Sequence, residues 1–142
     1  MSLVDTNRLI RTYLLTSSAT NDPLIALIGA RLYQGRLKLN AKLPAISYLT
    51  RGGVASPEVP NVVSPSIQFD CWASSPESAR EVYRALYDAM QGLGNAEITI
   101  DETTYYITKV REEVQGQDLQ DVDAPSYFEV RTFYSITVRD YP

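Results

Sequence analysis

Residues 66–90 read SIQFDCWASSPESAREVYRALYDAM, and they predict a strand, a cap and a helix in direct succession. From Ser66 to Ala73 the residues alternate. Ile67, Phe69, Cys71 and Ala73 point one way, and Ser66, Gln68, Asp70 and Trp72 point the other. Ser75 offers a capping oxygen, Pro76 suits the first helical position, and Glu77 puts a carboxylate where the helix dipole favours an anion. Ala79, Val82, Tyr83, Leu86 and Met90 then recur at helical spacing. Arg80, Glu81, Arg84 and Asp88 mark the opposite side, with Arg84 and Asp88 at ion-pair spacing. Gly92 and Gly94 stop the helix. A strand with one apolar face feeding a helix with one apolar stripe predicts a sheet-and-helix layer packing.

Toward the N-terminus, two more helices are expected. Asp5 or Thr6 caps the first, whose Leu9, Ile10, Tyr13 and Leu14 share a face. Asp22 as N-cap and Pro23 at the first position open the second, Leu24, Ile25, Leu27 and Ile28 give it an apolar surface, and Gly29 ends it. A turn follows at Tyr33-Gln34-Gly35, then a strand over Ala45–Thr50. Between that strand and Ser66 lies a long loop, about 52–65, with Gly52, Gly53, Pro57, Pro60 and Pro65. Loops of this length inside a compact domain tend to carry function.

Toward the C-terminus, strands are expected over Ala96–Ile100 and Thr104–Val114, joined by a hairpin at Asp101-Glu102-Thr103. An acidic loop at about 115–125 precedes a last strand, Tyr127–Val138. Its Phe128, Val130, Thr132, Tyr134, Ile136 and Val138 share the core face. The reading is one α+β domain over 1–142 in the order α-α-β-β-α-β-β-β. It has a mostly antiparallel sheet of about five strands and three helices largely on one face. The third helix crosses Phe69, Cys71, Val130 and Ile136.

The composition narrows the function. The chain has 142 residues, 44% hydrophobic and 21% charged, and a net charge of −4, which suits one globular core. Without a sequence run of Lys and Arg, gripping nucleic acid is disfavoured. No apolar run approaches a membrane span, and Met1-Ser2-Leu3-Val4-Asp5 lacks the order of a signal peptide. A lone Cys71 cannot form an internal disulfide, which fits folding in a reducing cytoplasm.

The residues of catalysis are sparse. Zero histidines and one cysteine exclude the usual zinc ligand sets and any Cys–His pair within the chain. Cys71 reads as a packed core thiol. Gly52-Gly53 lacks the Lys-Ser/Thr of a phosphate loop and reads as a turn. Glu112 and Glu113 sit side by side on a strand, so they point to opposite faces, and Asp101 and Glu102 read as hairpin residues. Asp118, Asp121 and Asp123 lack the glycine and distant glutamate of a calcium loop. The expectation is no catalytic, cofactor-binding or metal residue.

Surface aromatics remain. Trp72, Tyr105, Tyr127 and Phe133 fall on the phase opposite the core, so that face is expected to be covered too. Either the N-terminal helices cover it or another subunit does, and Trp and Tyr are favoured interface anchors. With Val59, Val62 and Val63 of the long loop, these four are the candidate subunit or partner contacts.

Three segments carry a resemblance: Gly29-Ala30-Arg31-Leu32-Tyr33, Leu43-Pro44-Ala45-Ile46-Ser47-Tyr48, and Ile67-Gln68-Phe69-Asp70-Cys71-Trp72-Ala73 running into an Ala-rich helix. In this order they resemble the small tail-completion, or tail-terminator, proteins of long-tailed bacteriophages, over about Leu9–Met90. The long Pro-rich loop and the C-terminal part depart from that pattern. The resemblance implies a non-enzymatic virion protein, made in the host bacterial cytoplasm and located in the tail or neck. It implies a homo-oligomer, a hexameric ring, that caps the tail tube protein and docks on the head connector or neck protein. DNA would then be passing cargo, and an acidic balance would suit such a channel. A head-completion stopper and a monomeric protein-binding module are the alternatives.

Overall fold

A computed structural model describes residues 3–38, 40–55, 62–91, 93–120 and 127–140. The elements are α1 (Thr6–Leu14), α2 (Asp22–Ile28), β1 (Leu32–Gln34), β2 (Ala45–Ala55), β3 (Val62–Ala73), α3 (Pro76–Met90), β4 (Ala96–Ile100), β5 (Thr103–Gln120) and β6 (Phe128–Arg139). The strands form one six-stranded sheet in the order β1-β2-β3-β6-β5-β4. Only β1 and β2 pair parallel; every other neighbour is antiparallel.

The caps explain the helix starts. Asp5 accepts from Arg8 N at 3.2 Å, and Ser75 accepts from Ser78 N at 3.2 Å, each satisfying an otherwise unpaired first-turn donor. At α2 the capping position falls to Asn21 rather than to Asp22. Asp22 instead turns its carboxylate back to Ser17 Oγ at 2.7 Å and Ser18 N at 3.2 Å, which closes the preceding turn. Arg84 and Asp88 form no ion pair, and both stay exposed. Gly92 lies outside the described residues.

All three helices contribute to a single core. Leu9, Ile10 and Leu14 of α1, Leu24 and Ile28 of α2, and Val82, Leu86 and Met90 of α3 are fully or almost fully buried, in one cluster with the inner sheet face. That face is formed by Ile46 and Tyr48, Ile67, Phe69 and Cys71, Val130, Tyr134, Ile136 and Val138. Phe69 sits between two tyrosines, 6.1 Å from Tyr48 and edge-on to Tyr134 at 5.7 Å. Tyr13 donates to Ala89 O at 2.6 Å and Tyr48 donates to Asn7 O at 3.0 Å, so α1 is tied to both α3 and the sheet. The covering expected over Phe69, Cys71, Val130 and Ile136 is therefore present.

Several expectations change. The turn expected at Tyr33 is β1, three residues long and held by a parallel partner, so the described residues form six strands where about five are expected. The 52–65 loop is largely strand, because β2 runs to Ala55 and β3 begins at Val62, with Gly53, Val54 and Ala55 opposite Pro65, Ser64 and Val63. Gly52 and Gly53 form an irregularity inside β2 rather than a turn at its end. Gly53 has φ +129°, and a Cβ there would collide with Ser64 O, so only glycine fits. The 115–125 loop is likewise strand as far as Gln120.

Candidate functional site: the helix-free face of the sheet

Since α1, α2 and α3 all pack on the inner face, nothing among the described residues covers the outer one. Alternation brings one residue in two from each central strand onto it. Cross-strand neighbours there include Ala45 and Trp72, Ser47 and Asp70, Leu49 and Gln68, Gln68 and Phe133, and Asp70 and Arg131.

Trp72 lies across β3 and donates from Nε1 to Ser47 Oγ at 2.9 Å, which satisfies its one polar atom while leaving the ring half-exposed. Tyr127 meets it edge-on at 6.4 Å. Phe133, half-buried on β6, carries the Arg51 guanidinium at 4.4 Å from its ring centroid. Between these rings runs a fixed polar strip. Arg131 donates to Asp70 Oδ1 at 2.7 Å and lies 3.6 Å from Glu129, while Gln68 Nε2 donates to Asp70 Oδ2 at 3.0 Å. Asp70 and Glu129 are almost fully buried. The bond to Asp70, together with its charge and that of Glu129, holds the Arg131 guanidinium further toward its charged form against the cost of burial. The face is thus apolar rings on a frame in which one guanidinium bridges two carboxylates.

The expected contact residues fall in three groups. Trp72, Tyr127 and Phe133 come together on this face. Tyr105 does not. It pairs with Ile98 and packs against the helix-side core, and its neighbour in phase, Ile107, is completely buried. A register shift between Ile107 and Lys109 then brings Val110 to the same inner side, so the simple alternation read from the sequence fails there. Val62 and Val63 are half-buried strand residues opposite Arg139 and Val138, and Val63 packs against the core. Val59 lies outside the described residues.

The carboxylates are dispersed. Glu112 faces α3, where Oε2 accepts from Tyr83 at 2.8 Å and from Thr132 at 2.7 Å; Glu113 faces the other way and accepts from Ser66 at 2.6 Å. Asp101 pairs with Arg8, and Asp118 pairs with Arg80 at 2.8 Å. Asp121 and Asp123 lie outside the described residues. Among the described residues no three acids or cysteines converge on a metal position. Burial pushes the Cys71 thiol well above its ordinary range, so it sits as a neutral core group.

No helix among the described residues is long and apolar enough to cross a membrane. The chain matches no protein-family model and no curated protein.

Proposed function

We propose that this chain is a non-enzymatic structural protein of a phage virion, a ring subunit that terminates the tail tube and joins it to the head connector. The observation that carries the reading is the uncovered sheet face, on which Trp72, Tyr127 and Phe133 stand half-exposed around the Asp70–Arg131–Glu129 strip. Apolar rings on a support already tied by hydrogen bonds and ion pairs are what a protein interface uses, because such groups lose little freedom on docking. The carboxylates supply no competing centre: each of Glu112, Glu113, Asp101 and Asp118 is held by a separate partner. The order of motifs from Gly29 to Ala73 supplies the virion context.

The test is genetic. Deleting the gene from the phage that encodes it should leave filled heads beside unattached tails of uncontrolled length in electron micrographs. Normal infectious particles would remove the proposal. Filled heads that leak their DNA beside tails of normal length would move the subunit to the head-completion position.

A further inference from the structure

Charge in this chain is segregated, and the topology sends the two halves of that segregation to opposite ends of the sheet. Residues 23–57 contain Arg31, Arg36, Lys38, Lys42 and Arg51 and no acidic residue, whereas residues 85–108 contain Asp88, Glu97, Asp101 and Glu102 and no basic one. The first stretch supplies β1 and the return segment 35–44 into β2. The second supplies β4 and its hairpin. In the order β1-β2-β3-β6-β5-β4 these are the two edges, five strand spacings or about 24 Å apart.

The side chains are placed to act outward. Arg36, Lys38 and Lys42 are exposed and have no ion pair among the described residues, and neither do the exposed Glu97 and Glu102. Asp101 is also exposed but is already engaged by Arg8. At the hairpin, Asp101 and Glu102 both have positive φ, +49° and +70°, which marks a two-residue turn flanked by the bonded pair Ile100 and Thr103. Counting back, Ile98 and Ala96 also exchange bonds with β5, so the N–H and C=O groups of Glu97 and Thr99 face the open edge. Beside that edge lies a cleft of about 290 Å³ lined by Thr12, Thr16, Asn21, Glu97 and Thr99. Asn21 is 1% exposed, and its Oδ1 acceptor has no donor.

We infer that the acidic β4 edge of one copy docks on the basic β1 edge of the next, with Arg36, Lys38 and Lys42 set against Glu97, Glu102 and the adjoining cleft. The inference rests on the self-assembly part of the reading above and names the two surfaces that meet. Lys and Arg carry only donors, which is what Asn21 Oδ1 and the edge carbonyls lack. The same charges disfavour the symmetric alternatives, since β4 against β4 and β1 against β1 bring like signs together. Between the edges the charges favour a head-to-tail contact, and head-to-tail contacts are the kind that close into rings.

The experiment compares native masses, by light scattering and mass spectrometry, of the full chain and three variants. One reverses the basic edge (Arg36→Glu, Lys38→Glu, Lys42→Glu), one the acidic edge (Glu97→Lys, Glu102→Lys), and one carries both sets. Each single-edge variant should associate at least tenfold more weakly than the native chain. An equimolar mixture of the two should assemble in strict alternation, and the doubly exchanged chain should assemble alone. Circular dichroism confirms that each variant folds; one that does not is replaced by the corresponding Gln set, for which the same weakening is expected. If the native chain assembles and the reversed edges change nothing, the edge contact is wrong while the ring reading stands. If the native chain stays monomeric at every concentration, both fall.

Discussion

The Tyr83 hydroxyl donates to Glu112 Oε2 at 2.8 Å and accepts from Gly116 N at 3.1 Å, so one phenol locks α3 onto two points of β5. Glu112 shares the same oxygen with Thr132 on β6, and three elements thereby meet at a single carboxylate. Burial raises the Tyr83 hydroxyl above its ordinary value, which keeps it a donor.

Removing that hydroxyl should therefore loosen the helix without exposing the core. Tyr83→Phe leaves Gly116 N and part of Glu112 unsatisfied and is expected to cost about 1–3 kcal/mol. The measurement is urea unfolding with an unchanged slope. A loss below a few tenths would mean water replaces the phenol fully.

Two adjacent glycines should respond differently to the same substitution. Gly52 has φ +92° with open space beside it, so Gly52→Ala carries backbone strain alone, about 1 kcal/mol. Gly53→Ala adds a collision with the β3 backbone at Ser64 and Pro65, and should be the more destabilising by a clear margin in thermal melts. Equal effects would show that β3 yields easily at that point.

Phe133→Asp should weaken association that uses the uncovered face and leave the far-ultraviolet spectrum and melting temperature nearly unchanged, because the ring is half-exposed there. Trp72→Asp should do the same with a larger stability loss, since its bond to Ser47 goes too. Sedimentation of both variants against the native chain reads the outcome; unfolding of the Phe133 variant would place that ring in the core.

Cys71 should resist aromatic disulfide reagents in the native chain and react on unfolding. Its thiol holds its proton more tightly folded than unfolded, so this contribution to stability is complete below the ordinary thiol range and fades as pH rises above about 8.5. Cys71→Ala should flatten that part of the alkaline decline. The part beginning near pH 10, from Tyr48 and Tyr134, which burial also raises, should persist.

Much of this architecture was readable where burial is one-sided. On β6 from Val130 onward each buried inner residue alternates with a half-exposed outer one, and α3 has Ser75, Pro76 and an apolar stripe, so period and caps agree with the packing. What escaped reading lacked a local signal. β1 has three residues and exists through its register with Ile46, Ser47 and Tyr48. The arm of β2 contains glycines that ordinarily end strands, and its continuation depends on a partner across the hairpin. The bulge after Ile107 shifted the phase by one and so misplaced Tyr105. On the outer face the rings of Trp72, Tyr127 and Phe133 were legible from alternation. Their polar frame was not, because Asp70 and Arg131 are brought together only by pairing β3 with β6.

That central pairing also governs how the chain comes into being. Asp70 and Arg131 are 61 positions apart, so when a ribosome has released α3, the edge of β3 that β6 will pair with has no partner. Phe69, Cys71 and Tyr48 stay incompletely sheltered until β6 pairs with β3, a contact of long sequence separation that forms late and slowly. Until then the open edge of β3 offers its backbone N–H and C=O groups to any other strand, so β6 protects the chain against mispairing as well as completing its core.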